Sequence, residues 1–161
     1  MYAKRKVLWA ASVAAVVMVV ASGVSADAGG RVIAPEADMA HHGHASLTNG
    51  RLGVSLVTEN LGPANLRNAT VRLTLSVRPA GAQALPAGCL WSADQVIMCA
   101  TGALRAGGTG RHFVLDLRTV GAPDEVVVNV ATQWNGGAGD RNPRNNEHRV
   151  LTPATGDPYV F

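Results

Sequence analysis

Apolar and polar residues alternate one by one over several stretches of this chain. Leu52, Val54 and Leu56 interleave with Gly53, Ser55 and Val57. Val71, Leu73, Leu75 and Val77 interleave with Arg72, Thr74, Ser76 and Arg78, and Phe113, Leu115 and Leu117 with His112, Val114 and Asp116. A period of two places successive side chains on opposite faces, so each run predicts a strand with one buried and one wet side. The run 126–130 is more uniformly apolar and predicts a further strand. Turn residues separate these runs. Asn49-Gly50 predicts a type I′ hairpin, because both residues tolerate positive φ. Further breakers stand at Gly62-Pro63, 79–88, Ala93-Asp94, Gly107-Gly108, 121–124 and 135–146. About seven to eight short strands at such intervals predict an all-β chain of two packed antiparallel sheets.

The N-terminus follows a different pattern. Lys4, Arg5 and Lys6 precede an apolar run from Val7 to Val20, and Gly23 and Val24-Ser25-Ala26 follow it. A charged start, an apolar middle and a small-residue exit predict an export signal over 1–26, with cleavage after Ala26 first and Ala28 second. The alternative is an uncleaved anchor, since the run approaches the roughly 18 apolar residues needed to span a bilayer. Residues 27–44, with Gly29-Gly30 and Pro35, read as a flexible lead with one short edge strand at 31–34. The sandwich is expected over 45–151 and a tail over 152–161. The tail's closing Tyr159-Val160-Phe161 reads either as an exposed strand offered to a partner or, the favoured reading, as a segment that folds back over a sheet edge.

Cleavage changes the meaning of the charge. Without Lys4, Arg5 and Lys6 the 14 basic residues fall to 11, equal to the 11 acidic ones, so the net charge of +3 belongs to the signal. The remaining basic residues are all arginines, dispersed from Arg31 to Arg149. Nucleic-acid binding needs a concentrated positive face, and none is visible. Membrane contact is expected only if the signal stays uncleaved.

Cys89 and Cys99 are the two cysteines of the chain. In an oxidising compartment such a pair predicts a disulfide, worth roughly 2.5 to 3 kcal/mol for so short a loop. The spacing is not that of a Cys-x-x-Cys redox motif. Roughly 135 residues past the signal are enough for one hydrophobic core.

Three segments together resemble a known family. Thr58-Glu59-Asn60-Leu61-Gly62-Pro63 resembles the N-x-G-P loop of the bacterial surface Ig-like repeat called domain of unknown function eleven. Leu85-Pro86-Ala87-Gly88-Cys89, then Cys99 and Gly102 to Gly108, is similar to the family's LP-x-G-C and C-x-x-G-x-L-x-x-G centre. Asp140-Arg141-Asn142-Pro143-Arg144-Asn145-Asn146 resembles its D-x-N-P-x-N-N closing loop. The resemblance implies an Ig-like β-sandwich outside the cell, used as a spacer or interaction module. It implies no enzymatic activity and no binding residues. This chain carries a single copy.

Candidate chemistry is sparse. His41, His42 and His44 place three imidazoles within four residues, a set that on a flexible segment would bind Ni²⁺, Cu²⁺ or Zn²⁺. Asp140, Asn142, Asn145, Asn146 and Glu147 form an oxygen-rich loop that reads either as a weak calcium site or as side chains bonding their own backbone. No Gly-x-Ser-x-Gly, His-Glu-x-x-His or Ser-x-x-Lys motif occurs. His112 and His148 are expected on outer strand faces. Asp116, Asp124 and Glu125 are expected as partners of nearby arginines.

These readings predict a secreted, extracellular, non-enzymatic module without a cofactor, binding another protein or a cell-surface polymer. The alternatives are metal binding through His41 to His44 and inhibition of extracellular proteases through the hairpin near Cys89 and Cys99.

Overall fold

The computed structural model describes residues 34–161. The expected export signal and cleavage sites, and most of the edge strand expected at 31–34, lie outside the described residues. Ten strands form two five-stranded sheets. In the first, β1 (Met39–Thr48) pairs with β2 (Arg51–Asn60). The second is built on β3 (Thr70–Leu75), flanked by the hairpin β4 (Cys89–Ala93) and β5 (Val96–Ala100). The chain then returns to β2 with β6 (Gly108–Thr109) and β7 (Phe113–Arg118). It crosses again to β8 (Glu125–Trp134) and β9 (Glu147–Pro153), and ends on β10 (Tyr159–Val160) beside β1. The strand orders are β10-β1-β2 with β6 and β7 beyond β2, and β4-β5-β3-β8-β9, all antiparallel. Eight strands have five or more residues, matching the expected number, and β6 and β10 have two each.

The alternation seen in the sequence becomes the core. Leu52, Val54 and Leu56 face Leu73, Leu75 and Ile97 across the sandwich, with Phe113, Leu115, Leu117, Val126, Val128 and Val130. Burying each such side chain is worth about 1.5 to 3 kcal/mol. The β1–β2 turn has Asn49 at φ 50° and Gly50 at φ 70°, the positive pair that type I′ requires.

Two expected boundaries move. The flexible lead expected over 27–44 is cut short, because β1 already begins at Met39 and residues 39–44 belong to the sandwich. The physical reason is an inward histidine. His41 is fully buried between the inward Met39 and Ala45, and its polarity hides the alternation from a hydrophobic reading. The sandwich also runs past 151. The tail folds back as expected: Tyr159 pairs with Ala45 and Val160 with His44, and Phe161 exchanges two backbone hydrogen bonds with Gly43 at 3.0 and 3.1 Å.

Candidate functional site

The histidine tract is divided by strand geometry. His41 points into the sandwich, where Nδ1 lies 3.0 Å from Thr58 Oγ1 and Nε2 lies 3.0 Å from Thr132 Oγ1. Burial pushes its pKa down from 6.5 to about 4, helped by His148 and His42 and opposed by Asp140. His42 and His44 point outward, and His42 Nε2 stands 3.5 Å from Glu59 Oε2. The expected ligand set of His41, His42 and His44 is therefore split between two faces. Among the described residues no three His, Cys, Asp or Glu side chains converge on a common point that would hold a cation.

His112 is exposed, as expected, and its Nε2 lies 2.7 Å from Ser55 Oγ. His148 is not on an outer face. It sits on the inner side of β9 at the sandwich edge, with its ring 5.3 Å from that of Phe161. Asp116 pairs with Arg51 across the first sheet, which meets the expectation for that acid.

The three segments that resemble the repeat family meet at one end of the sandwich and are occupied in building it. Asn60 is buried. Its Oδ1 accepts from the N–H groups of Asp38 and Gly62 at 3.3 and 3.1 Å, and its Nδ2 donates to the Ala64 carbonyl at 2.7 Å. Leu104 joins Met39, Leu66 and Ala69 in a second apolar cluster, and Leu66 and Leu104 bond each other's backbone. The Asp140 carboxylate accepts from Met39 N–H at 3.2 Å, Asn142 N–H at 2.8 Å and Asn146 Nδ2 at 2.8 Å, while Asn145 Nδ2 donates to Asp38 Oδ1 at 2.8 Å. The oxygens of this loop hold β1 in place, which is the structural alternative of the two readings above. Cys89 and Cys99 face each other on β4 and β5 and form the expected disulfide.

The sheet edges are treated unequally. An unpaired edge offers a row of N–H and C=O groups to any other strand. In the first sheet β10 covers β1, and loop 78–83 bonds the end of β7 through Ala80 N–H and the Gln83 carboxamide. In the second, β4 is short and bulged between Trp91 and Ala93, a geometry that discourages pairing. At the opposite edge β9 is seven residues long and regular, and no backbone hydrogen bond among the described residues crosses its outer side. Leu151 on β9 is 44 % exposed and Val160 on the neighbouring β10 is 80 % exposed. Neither the role of Gln83 nor the openness of β9 is visible as a local sequence signal, since both depend on which strands become neighbours. Among the described residues no helix is long and apolar enough to cross a membrane.

No family model matches this chain, and no curated protein matches it. Among solved structures it is similar to β-glucosidase 3B from Thermotoga neapolitana in complex with α-D-glucose, at 15 % identity and a TM-score of 0.41 over 78 % of this chain. It is also similar to a β-glucosidase from Listeria innocua in complex with glucose, at 14 % identity and a TM-score of 0.37 over 73 % of this chain. The chain spans only 17 % and 16 % of those two proteins' lengths.

Proposed function

We infer that this chain is an exported, non-enzymatic β-sandwich module that binds another protein or a cell-surface polymer. The observation that carries the reading is the edge of β9, seven residues long, regular and crossed by no backbone hydrogen bond among the described residues, whereas β10 covers β1 and a bulge interrupts β4. Such an edge, with the exposed Leu151 on its outer face, suits β-strand addition by a partner segment. Export is supported by the charged and apolar start of the sequence and by the formed Cys89–Cys99 disulfide.

The test is intact-mass analysis of culture supernatant and surface fractions, followed by affinity capture with the unaltered chain and with Leu151→Lys. The expected result is a secreted species beginning at Asp27, two hydrogens light, with a partner whose capture the lysine abolishes. Full-length protein confined to the membrane fraction, a partner held equally by both forms, or turnover of a secreted-enzyme substrate would each overturn the reading.

A further inference from the structure

At the end of the sandwich away from the Asn60 and Asp140 loops, a cleft of about 400 Å³ opens between loop 78–82 and the β4–β5 hairpin. That volume lies within the range of small-ligand sites. Trp91 forms one wall. Part of its ring packs on the core, and its only hydrogen-bond donor is already engaged, since Nε1 donates to the Gln83 carbonyl at 3.2 Å. The indole is thus held at both ends and offers the cleft a fixed apolar surface that asks for no hydrogen bond. Pro79 adds a second rigid apolar wall.

The polar groups of the cleft are Arg78, Ser92 and Asp94. Ser92 Oγ donates to the Val96 carbonyl at 3.3 Å, whereas Arg78 and Asp94 are exposed and take part in no ion pair among the described residues. The other end of the molecule uses its side-chain amides and carboxylates to bond its own backbone. Here a guanidinium donor and a carboxylate acceptor line the same cleft as an aromatic plate, and their charges cancel.

We propose that this cleft binds a neutral saccharide, with one sugar ring stacked on Trp91 and its hydroxyls bonded to Asp94 and Arg78. A pyranose has an apolar C–H face and a rim of hydroxyls that both donate and accept. A fixed indole with one charged donor and one charged acceptor beside it is complementary to both features. The balanced charge disfavours a polyanion, and the polar rim disfavours an acyl chain. Because the plate is already immobilised, little ordering cost falls on binding. The inference rests on the reading of the chain as a binding module, and it names the polymer class that one of its surfaces takes.

The test uses the full chain carrying W9F and W134F, so that Trp91 alone reports by fluorescence. It is titrated with cellohexaose, xylohexaose, mannohexaose, maltohexaose and chitohexaose, with a hexagalacturonate and a proline-rich peptide as the charged and protein-like competitors. The expected result is a saturable change with at least one neutral hexamer, weakened about tenfold by Asp94→Ala and by Arg78→Ala. Both substituted side chains are exposed, so these variants keep the fold where Trp91→Ala could lose it. No saturable change with any neutral hexamer, affinity indifferent to both variants, or preference for the galacturonate or the peptide would overturn the proposal. Partner capture that Leu151→Lys abolishes and Asp94→Ala leaves intact would overturn only the saccharide assignment if the titrations are blank.

Discussion

Gln83 bonds the backbone of Arg118 twice, its Oε1 accepting from the Arg118 N–H at 2.6 Å and its Nε2 donating to the Arg118 carbonyl at 2.8 Å. A carboxamide carries the same donor and acceptor as a peptide unit, so this side chain takes the place of a neighbouring strand at the end of β7. Replacing it with leucine should leave both Arg118 groups without that partner. The expected cost is about 1 to 2 kcal/mol in urea unfolding, with increased self-association on gel filtration.

His41 gives the fold a defined acid sensitivity. Its folded pKa of about 4 lies below the ordinary 6.5, so the fold favours the neutral ring and the unfolded chain binds the extra proton. The sign follows: this contribution is fully present above about pH 6.5 and is lost as pH falls towards 4. Its ceiling is about 3 kcal/mol. Unfolding free energies measured from pH 7.5 to 4 should fall steeply for the natural chain and less for His41→Gln, which cannot titrate.

Gly43 is needed where the tail docks. A Cβ there would lie 2.0 Å from the Ser55 carbonyl oxygen and 2.9 Å from the Phe161 ring. Gly43→Ala should therefore destabilise by about 1 to 3 kcal/mol, the usual range for overpacking. Hydrogen exchange at the Gly43 and Phe161 amides should accelerate more than exchange at Leu115 in the core of β7, because the clash falls on β1 where it meets the Ser55 backbone of β2 and the Phe161 ring of the tail.

The Asp140 loop should ignore calcium. Its carboxylate already accepts three hydrogen bonds from the protein. Millimolar Ca²⁺ is expected to leave the melting temperature unchanged, whereas Asp140→Ala should lower stability by about 2 to 4 kcal/mol through the unpaired groups it leaves. A calcium-dependent rise in melting temperature would contradict this assignment.

What can be read from the sequence is whatever depends on local periodicity. The strands containing Leu52, Leu73 and Leu115, the Asn49-Gly50 turn and the disulfide all have near-neighbour causes and stand where expected. Strand β1 is hidden because one of its inward positions is a histidine, satisfied by Thr58 and Thr132 from two other strands. The same remote pairing divides the metal set expected of His41, His42 and His44. His148 turns inward for a comparable reason, since its neighbour Phe161 arrives from the tail. The Trp91 cleft combines a hairpin tip of the second sheet with loop 78–82, which is bonded to the end of β7 in the first, so it exists only once the two sheets are packed.

The pairing of β10 with β1 joins nearly the two extremes of the described chain. The first sheet therefore cannot be completed on a partly emerged polypeptide, because β1 waits for residues translated long after it. Closing so large a loop is slow compared with forming the β1–β2 or β4–β5 hairpins. The edge of β1 that β10 covers therefore stays open until the last residues of the chain are in place.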